Sequence, residues 1–249
     1  MEEVSPSYDT ALVVASFLIS ALGAYCALAT MTLVRGRDGR VSKLNAAFAG
    51  LALGGVGIWS MHFLGMMAWD IDAPTGYEPM ETAFSLLLAV GASVMALGYM
   101  AAGPFTVRRL LVAGPLAGLG VAGMHFVGMG SMRFAGTLQW NAGLVVLSVV
   151  IAVVAATAAL WLAFAVRGRN RRVGAAFVMA AAVSLMHYTG MAAADVFCST
   201  GDRTIGLPGL LYRSDLMTMV VSVALAVVAI IGIDVFFQRV LRATEQPSR

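Results

Sequence analysis

Seven apolar stretches, at about 9–34, 44–68, 82–102, 110–132, 141–166, 173–195 and 215–238, reach the roughly 20 residues that cross the hydrocarbon layer as a helix. Barrel strands are excluded, since they take about ten residues and alternate in polarity. Sixty per cent of the residues are hydrophobic and 12% are charged, about half the charge of an ordinary soluble domain. The expected fold is therefore all-α: a polytopic membrane bundle of seven transmembrane helices, forming one domain over 1–249 with the bilayer as its first partner. The first stretch is not a cleavable signal. It follows MEEVSPSYDT, which is acidic where a signal peptide needs a basic start.

Basic residues orient the bundle. One set of connections holds Arg35, Arg37, Arg40, Lys43, Arg108, Arg109, Arg167, Arg169, Arg171, Arg172, Arg239, Arg242 and Arg249, and the other only Arg133, Arg203 and Arg213. The first set is cytoplasmic by the positive-inside rule. The N-terminus is then outside and the C-terminus inside, as for a multi-pass protein of the inner membrane. The net charge of +3 reflects this asymmetry and points to no nucleic-acid partner. Cys26 and Cys198 stand at different depths, too far apart for a disulfide. Asn45, Asn141 and Asp215 read as helix caps. Asp234 is expected at the inner interface or paired with Arg239.

Inside this frame a motif recurs. MHFLGM, MHFVGM and MHYTGM begin at Met61, Met124 and Met186, and they contain all three histidines of the chain. Each hexamer closes a helix pair, giving repeat units of about 9–70, 82–133 and 141–195 and an unpaired seventh helix at about 215–238. His62, His125 and His187 each stand eight residues before a charged residue: Asp70, Arg133 and Asp195. Read as helix, that interval puts the imidazoles in one layer about 12 Å below the outer face. Spans 2 and 4 are rich in Gly and span 6 in Ala, and small residues mark close helix contacts in lipid. Those three spans are expected at the centre, although a Gly-rich face also suits a second copy in a homo-oligomer.

Within each hexamer, His and the Met four residues later share a helix face. Gly65, Gly128 and Gly190 clear space there for a neighbouring helix or a bound species such as a cofactor. Imidazole with thioether favours soft metals, copper above all. The expected ligands are His62, His125 and His187 with Met61, Met66, Met124, Met129, Met186 and Met191. Haem is the alternative cofactor, because histidines on membrane helices also suit its iron. Asp70, Asp195 and Cys198 are secondary candidates at the rim. An intramembrane His repeated three times amid diverged flanks argues for a ligand site over packing. There is no nucleophile–base pair, phosphate loop or carboxylate pair, so no enzyme is expected.

Met186-His187-Tyr188-Thr189 resembles the signature of the MHYT family of bacterial membrane sensor domains, and the likeness covers nearly the whole chain. Tyr and Thr are absent from the first two copies, which leaves His, the two Met positions and Gly as the functional part. The resemblance implies a sensory input domain that binds copper and through it oxygen, carbon monoxide or nitric oxide. Family members often continue into cyclic-di-GMP output domains, whereas only about eleven residues follow span 7 here. The expectation is a separate cytoplasmic signalling partner. The alternative is copper transport, storage or delivery, which predicts further ligands stepping inward from the layer.

Overall fold

The computed structural model describes residues 2–35, 40–71, 73–199 and 209–244. Arg37, Asp72, Asp202, Arg203 and Arg249 lie outside the described residues. The helices begin where side chains can satisfy their first amides. Asp9 accepts from the Ala11 and Leu12 amides to open α1 (Thr10–Met31). Ser42, Glu78, Thr106 and Asn141 cap α2 (Lys43–Ala68), α3 (Pro79–Ala101), α4 (Val107–Gly130) and α5 (Ala142–Ala165) in the same way. Helix α6 (Arg169–Met191) follows Gly168, whose φ of 91° suits glycine, and α7 runs Arg213–Thr244. All seven are long and apolar enough to cross a membrane. Asn141 caps as expected, and Asp215 accepts from the Tyr212 amide at the start of α7.

Consecutive helices pack in chain order from α1 to α6, and α6 packs back on α1, closing a ring with α7 laid against α1 and α2. Glycines let the backbones approach. Gly50 and Gly54 of α2 abut Val94 and Val90 of α3; one repeat later, Gly114 and Gly118 of α4 abut Thr157 and Val153 of α5. A methyl on Gly118 would stand 2.5 Å from the Val153 Cα. These glycines therefore seat α2 against α3 and α4 against α5 rather than marking a common centre. The expectation that spans 2, 4 and 6 fill the middle holds fully only for α2, of which 83% is buried, against 50% for α4 and 39% for α6, the same as α1 and α3. The reason is α7, which covers the far side of α2 alone. The three even helices still touch one another at their outer ends.

Those ends are held by a device that repeats with the motif. The amides of Asp9, Glu78 and Asn141 donate to the carbonyls of Ala68, Ser131 and Ala193 at 2.9, 2.8 and 2.8 Å. Each acceptor lies six residues after a motif histidine, and each donor starts the partner helix. Every pair is thus fastened at the same level. Beyond the fasteners the chain is extended, not helical. Strands β1 (Glu2–Val4), β7 (Ala194–Cys198) and β6 (Gly136–Trp140) form one antiparallel sheet, β2 (Ser7–Tyr8) pairs with β3 (Trp69–Asp70), and β4 (Gly76–Tyr77) joins β5 (Met132–Arg133) to β8 (Leu211–Tyr212). This corrects the depth argument. Helix continues only four to six residues past each histidine, so eight residues of rise do not separate it from Asp70, Arg133 or Asp195.

Helix α2 differs from the rest between Ala52 and Ser60, where it widens into π-helix. The Ser60 hydroxyl donates to the Gly55 carbonyl at 2.9 Å, five residues back, and π segments concentrate at functional sites. At its inner end Asn45 is a connector and not the expected cap, because Ser42 already takes that role. Its amide donates to the Leu33 carbonyl at 2.9 Å and accepts from Gln238 Nε2 at 3.0 Å. Gln238 also donates to Asp234 at 2.8 Å; the side chain of Arg239, its expected partner, lies outside the described residues. Asn45→Ala removes both ties in a buried setting. It is expected to lower unfolding stability by about 1–3 kcal/mol, read as a fall in the thermal midpoint of detergent-solubilised protein.

Candidate metal centre

His62 on α2, His125 on α4 and His187 on α6 meet on the axis of the ring, with exposures of 1%, 0% and 1%. Their Nδ1 atoms lie 3.1, 3.1 and 3.3 Å apart. The rings cross nearly at right angles, with interplanar angles of 76°, 90° and 86°. The three thus form a propeller whose inner edges are nitrogen. A triangle with those edges has its centre about 1.8 Å from each nitrogen, close to a metal–imidazole bond of about 2.0 Å. No carboxylate or thiol joins the group among the described residues.

Without an ion the three rings leave polar atoms unmatched. If all three Nδ1 carry lone pairs, the lone pairs converge; if all carry protons, the protons collide. One ring can satisfy another, but neutral imidazole has one donor and one acceptor, so a ring of three Nδ1 cannot pair throughout. The outer nitrogens bring no relief, since each Nε2 is buried without a hydrogen-bond partner. A central cation would accept all three lone pairs at once.

The glycines explain how the rings come so close. A methyl on Gly128 would strike Nε2 of His62, one on Gly190 that of His125, and one on Gly65 that of His187. Each motif therefore inserts its imidazole into the gap left by another motif's glycine, in a closed cycle. Of the two occupants expected for that space, the structure shows the neighbouring helix. That leaves no room for haem. Two axial imidazoles would need to stand about 4 Å apart across the iron, with a flat macrocycle between them, and here the nitrogens nearly touch.

Met61, Met124 and Met186 precede the histidines and Met66, Met129 and Met191 follow them; all six are buried at 0–2% exposure. Asp70 and Asp195 are exposed in β3 and β7, and Cys198 is buried in β7 as a free thiol. Cys26 is also free, so no disulfide links the two.

Residues 55–113 and 118–176 match MHYT, a family described as a bacterial signalling protein N terminal repeat. The chain belongs to the MHYT family. Among its relatives are the bifunctional diguanylate cyclase/cyclic di-GMP phosphodiesterase MucR of Pseudomonas aeruginosa, 39% identical over 90% of this chain and 33% of its own length, and the cyclic di-GMP phosphodiesterase NbdA of the same organism, 37% identical over 75% of this chain and 24% of its own. An uncharacterized signaling protein of Caulobacter vibrioides is 30% identical over 88% of this chain. The chain spans a quarter to a third of the length of these relatives. No solved structure matches it. The two matched MHYT windows hold His62 and His125. The third motif, with His187, lies beyond them and is placed by the repeat and the structure.

One threefold feature of this MHYT bundle escaped sequence reasoning. The aromatic ring after each histidine packs edge-on against an outer aromatic: Phe63 on Tyr77 at 6.0 Å, Phe126 on Trp140 at 5.5 Å and Tyr188 on Tyr8 at 5.9 Å. Tyr8, Tyr77 and Trp140 each immediately precede a helix cap, and that shared place was the available signal. Together they brace the outer ends of the motif helices. Burial pushes the Tyr8 phenol up to about 12, with the Tyr188 phenol beside it adding to the shift, and burial raises Tyr77 further against an opposing pull from Arg213. Tyr188 also holds Ser16 through its hydroxyl at 3.0 Å, whereas the Thr189 hydroxyl donates to the Leu185 carbonyl of its own helix.

Proposed function

We propose that this protein is a copper-binding sensory domain of the bacterial inner membrane, with one cuprous ion held by His62, His125 and His187 near the outer ends of the helices. The observation that carries the reading is the convergence of three fully buried Nδ1 atoms at 3.1–3.3 Å. The choice of metal follows from charge and softness. The group has no anionic partner, and the cost of burying an ion rises steeply with its charge, which favours a monovalent cation over Zn²⁺. Flanking thioethers at Met61, Met66, Met124, Met129, Met186 and Met191 select the same soft ion. A three-coordinate cuprous ion there would supply affinity for a diatomic gas (oxygen, carbon monoxide or nitric oxide), which is the class of signal proposed.

The signal is proposed to leave through α2 and α7 to a separate cytoplasmic signalling protein, in keeping with the cyclic di-GMP enzymes among the relatives. His62 sits above the π-helical stretch of α2, and Asn45 below it grips Gln238 of α7. A change of packing at the triad thus has a continuous path to the inner end. Transport is less well supported. The cavity of about 50 Å³ beneath the triad is lined by groups such as Leu97, Ala117, Val121, Met179 and Met186, with no ionisable side chain to pass a cation inward.

Metal analysis of detergent-purified protein reconstituted with Cu(I) tests the reading. One copper per chain, without a haem absorption band, is expected. A protein that retains no copper after desalting would falsify it.

A further inference from the structure

A centre as buried as this one needs an access route. Among the described residues the outer face offers one where α7 starts beside the end of α2. There a pocket of about 640 Å³ is lined by Met66, Met67 and Met217, by Tyr77 and Tyr212, and by Asp70 and Arg213 at its rim. Its mouth is exposed at Asp70, Pro74, Tyr212 and Ser214, while its floor is buried at Met66 and Met67. Met66 follows His62 by one helical turn, so the floor of the pocket stands one turn outward of the first histidine of the triad on the same helix.

We propose that this pocket is the loading port of the centre, binding a soft monovalent metal cation through the thioethers of Met67 and Met217 before it passes Met66. The inference rests on the triad holding copper. Three thioethers in one outer pocket form a donor set that prefers Cu(I) or Ag(I) to the hard cations abundant outside a cell. Among the described residues the rim carries one acid, Asp70, and one base, Arg213, so selection falls to sulfur rather than to charge. The first repeat also differs from the other two here. Met67 directly follows its hexamer, where the second and third copies have Gly130 and Ala192. Met217 comes from α7, which packs on α2 and leaves the other two motif helices uncovered on that side.

The test is the rate of loading on the full chain in detergent. Cu(I) is supplied as its acetonitrile complex, the reaction is stopped at intervals with a Cu(I) chelator, and copper is counted after desalting. The Met67→Leu/Met217→Leu variant, which keeps volume and removes sulfur, is expected to load at least tenfold more slowly and to reach the same final one copper per chain. Thr75→Cys at the pocket wall, labelled with a bulky maleimide, should show the same slowing without touching a methionine. Wild-type rates in both variants overturn the port while leaving the triad standing. A lower final content in the Leu variant also overturns it, because Met67 and Met217 would then belong to the centre itself. A wild-type protein that takes up no copper removes triad and port together.

Discussion

His125→Ala is expected to lose copper at a concentration that leaves the wild-type protein fully loaded. Removing even the outer partner of a metal ligand lowers affinity by about 10–100-fold, so loss of one of three ligands should cost at least about a hundredfold. His62→Ala and His187→Ala should behave alike, because the three Nδ1 separations differ by only 0.2 Å. A second readout follows from the unmatched nitrogens. Copper at a hundred times its dissociation constant should stabilise the wild-type fold by about 2.7 kcal/mol, raising its thermal midpoint. The alanine variants should show no rise at the same copper concentration. Copper retained by all three variants would sink the shared centre.

Much of this was legible in the sequence, for reasons that differ by element. Long apolar runs have one solution in a bilayer, so the seven helices fell within a few residues of their expected places. Histidine in such runs is too expensive to be incidental, and the equal spacing of the hexamers put the three imidazoles together. Depth was less legible. A hydrophobic stretch does not reveal where helix yields to strand, and the eight-residue interval to Asp70, Arg133 and Asp195 crosses that change in all three repeats. The small residues misled in a related way. Gly50, Gly54, Gly114 and Gly118 do mark close packing, but sequence does not say against which neighbour, and the partners are α3 and α5. The outer aromatics were missed because Tyr8, Tyr77 and Trp140 are separated by 69 and 63 residues, an uneven interval that hides their common place before a cap.

The cycle of glycines permits a sharper test than the ligands do, since it predicts who partners whom. Gly128→Ala drives a methyl into the His62 imidazole, and overpacking of this kind costs about 1–3 kcal/mol. The collision is at the ring's outer edge, so relief must come from swinging Nδ1 off the axis, and copper binding should fall with stability. Removing His62 takes away the collision. Gly128→Ala should therefore cost almost nothing in a His62→Ala background, a coupling of about 1–3 kcal/mol between residues 66 positions apart. His125→Ala should not rescue Gly128→Ala; it should rescue Gly190→Ala, and His187→Ala should rescue Gly65→Ala. Thermal unfolding of these double variants reads the whole cycle. Packing of the glycines against anything but the next imidazole would give equal costs in every background, and the interlocked geometry of the centre would then be wrong.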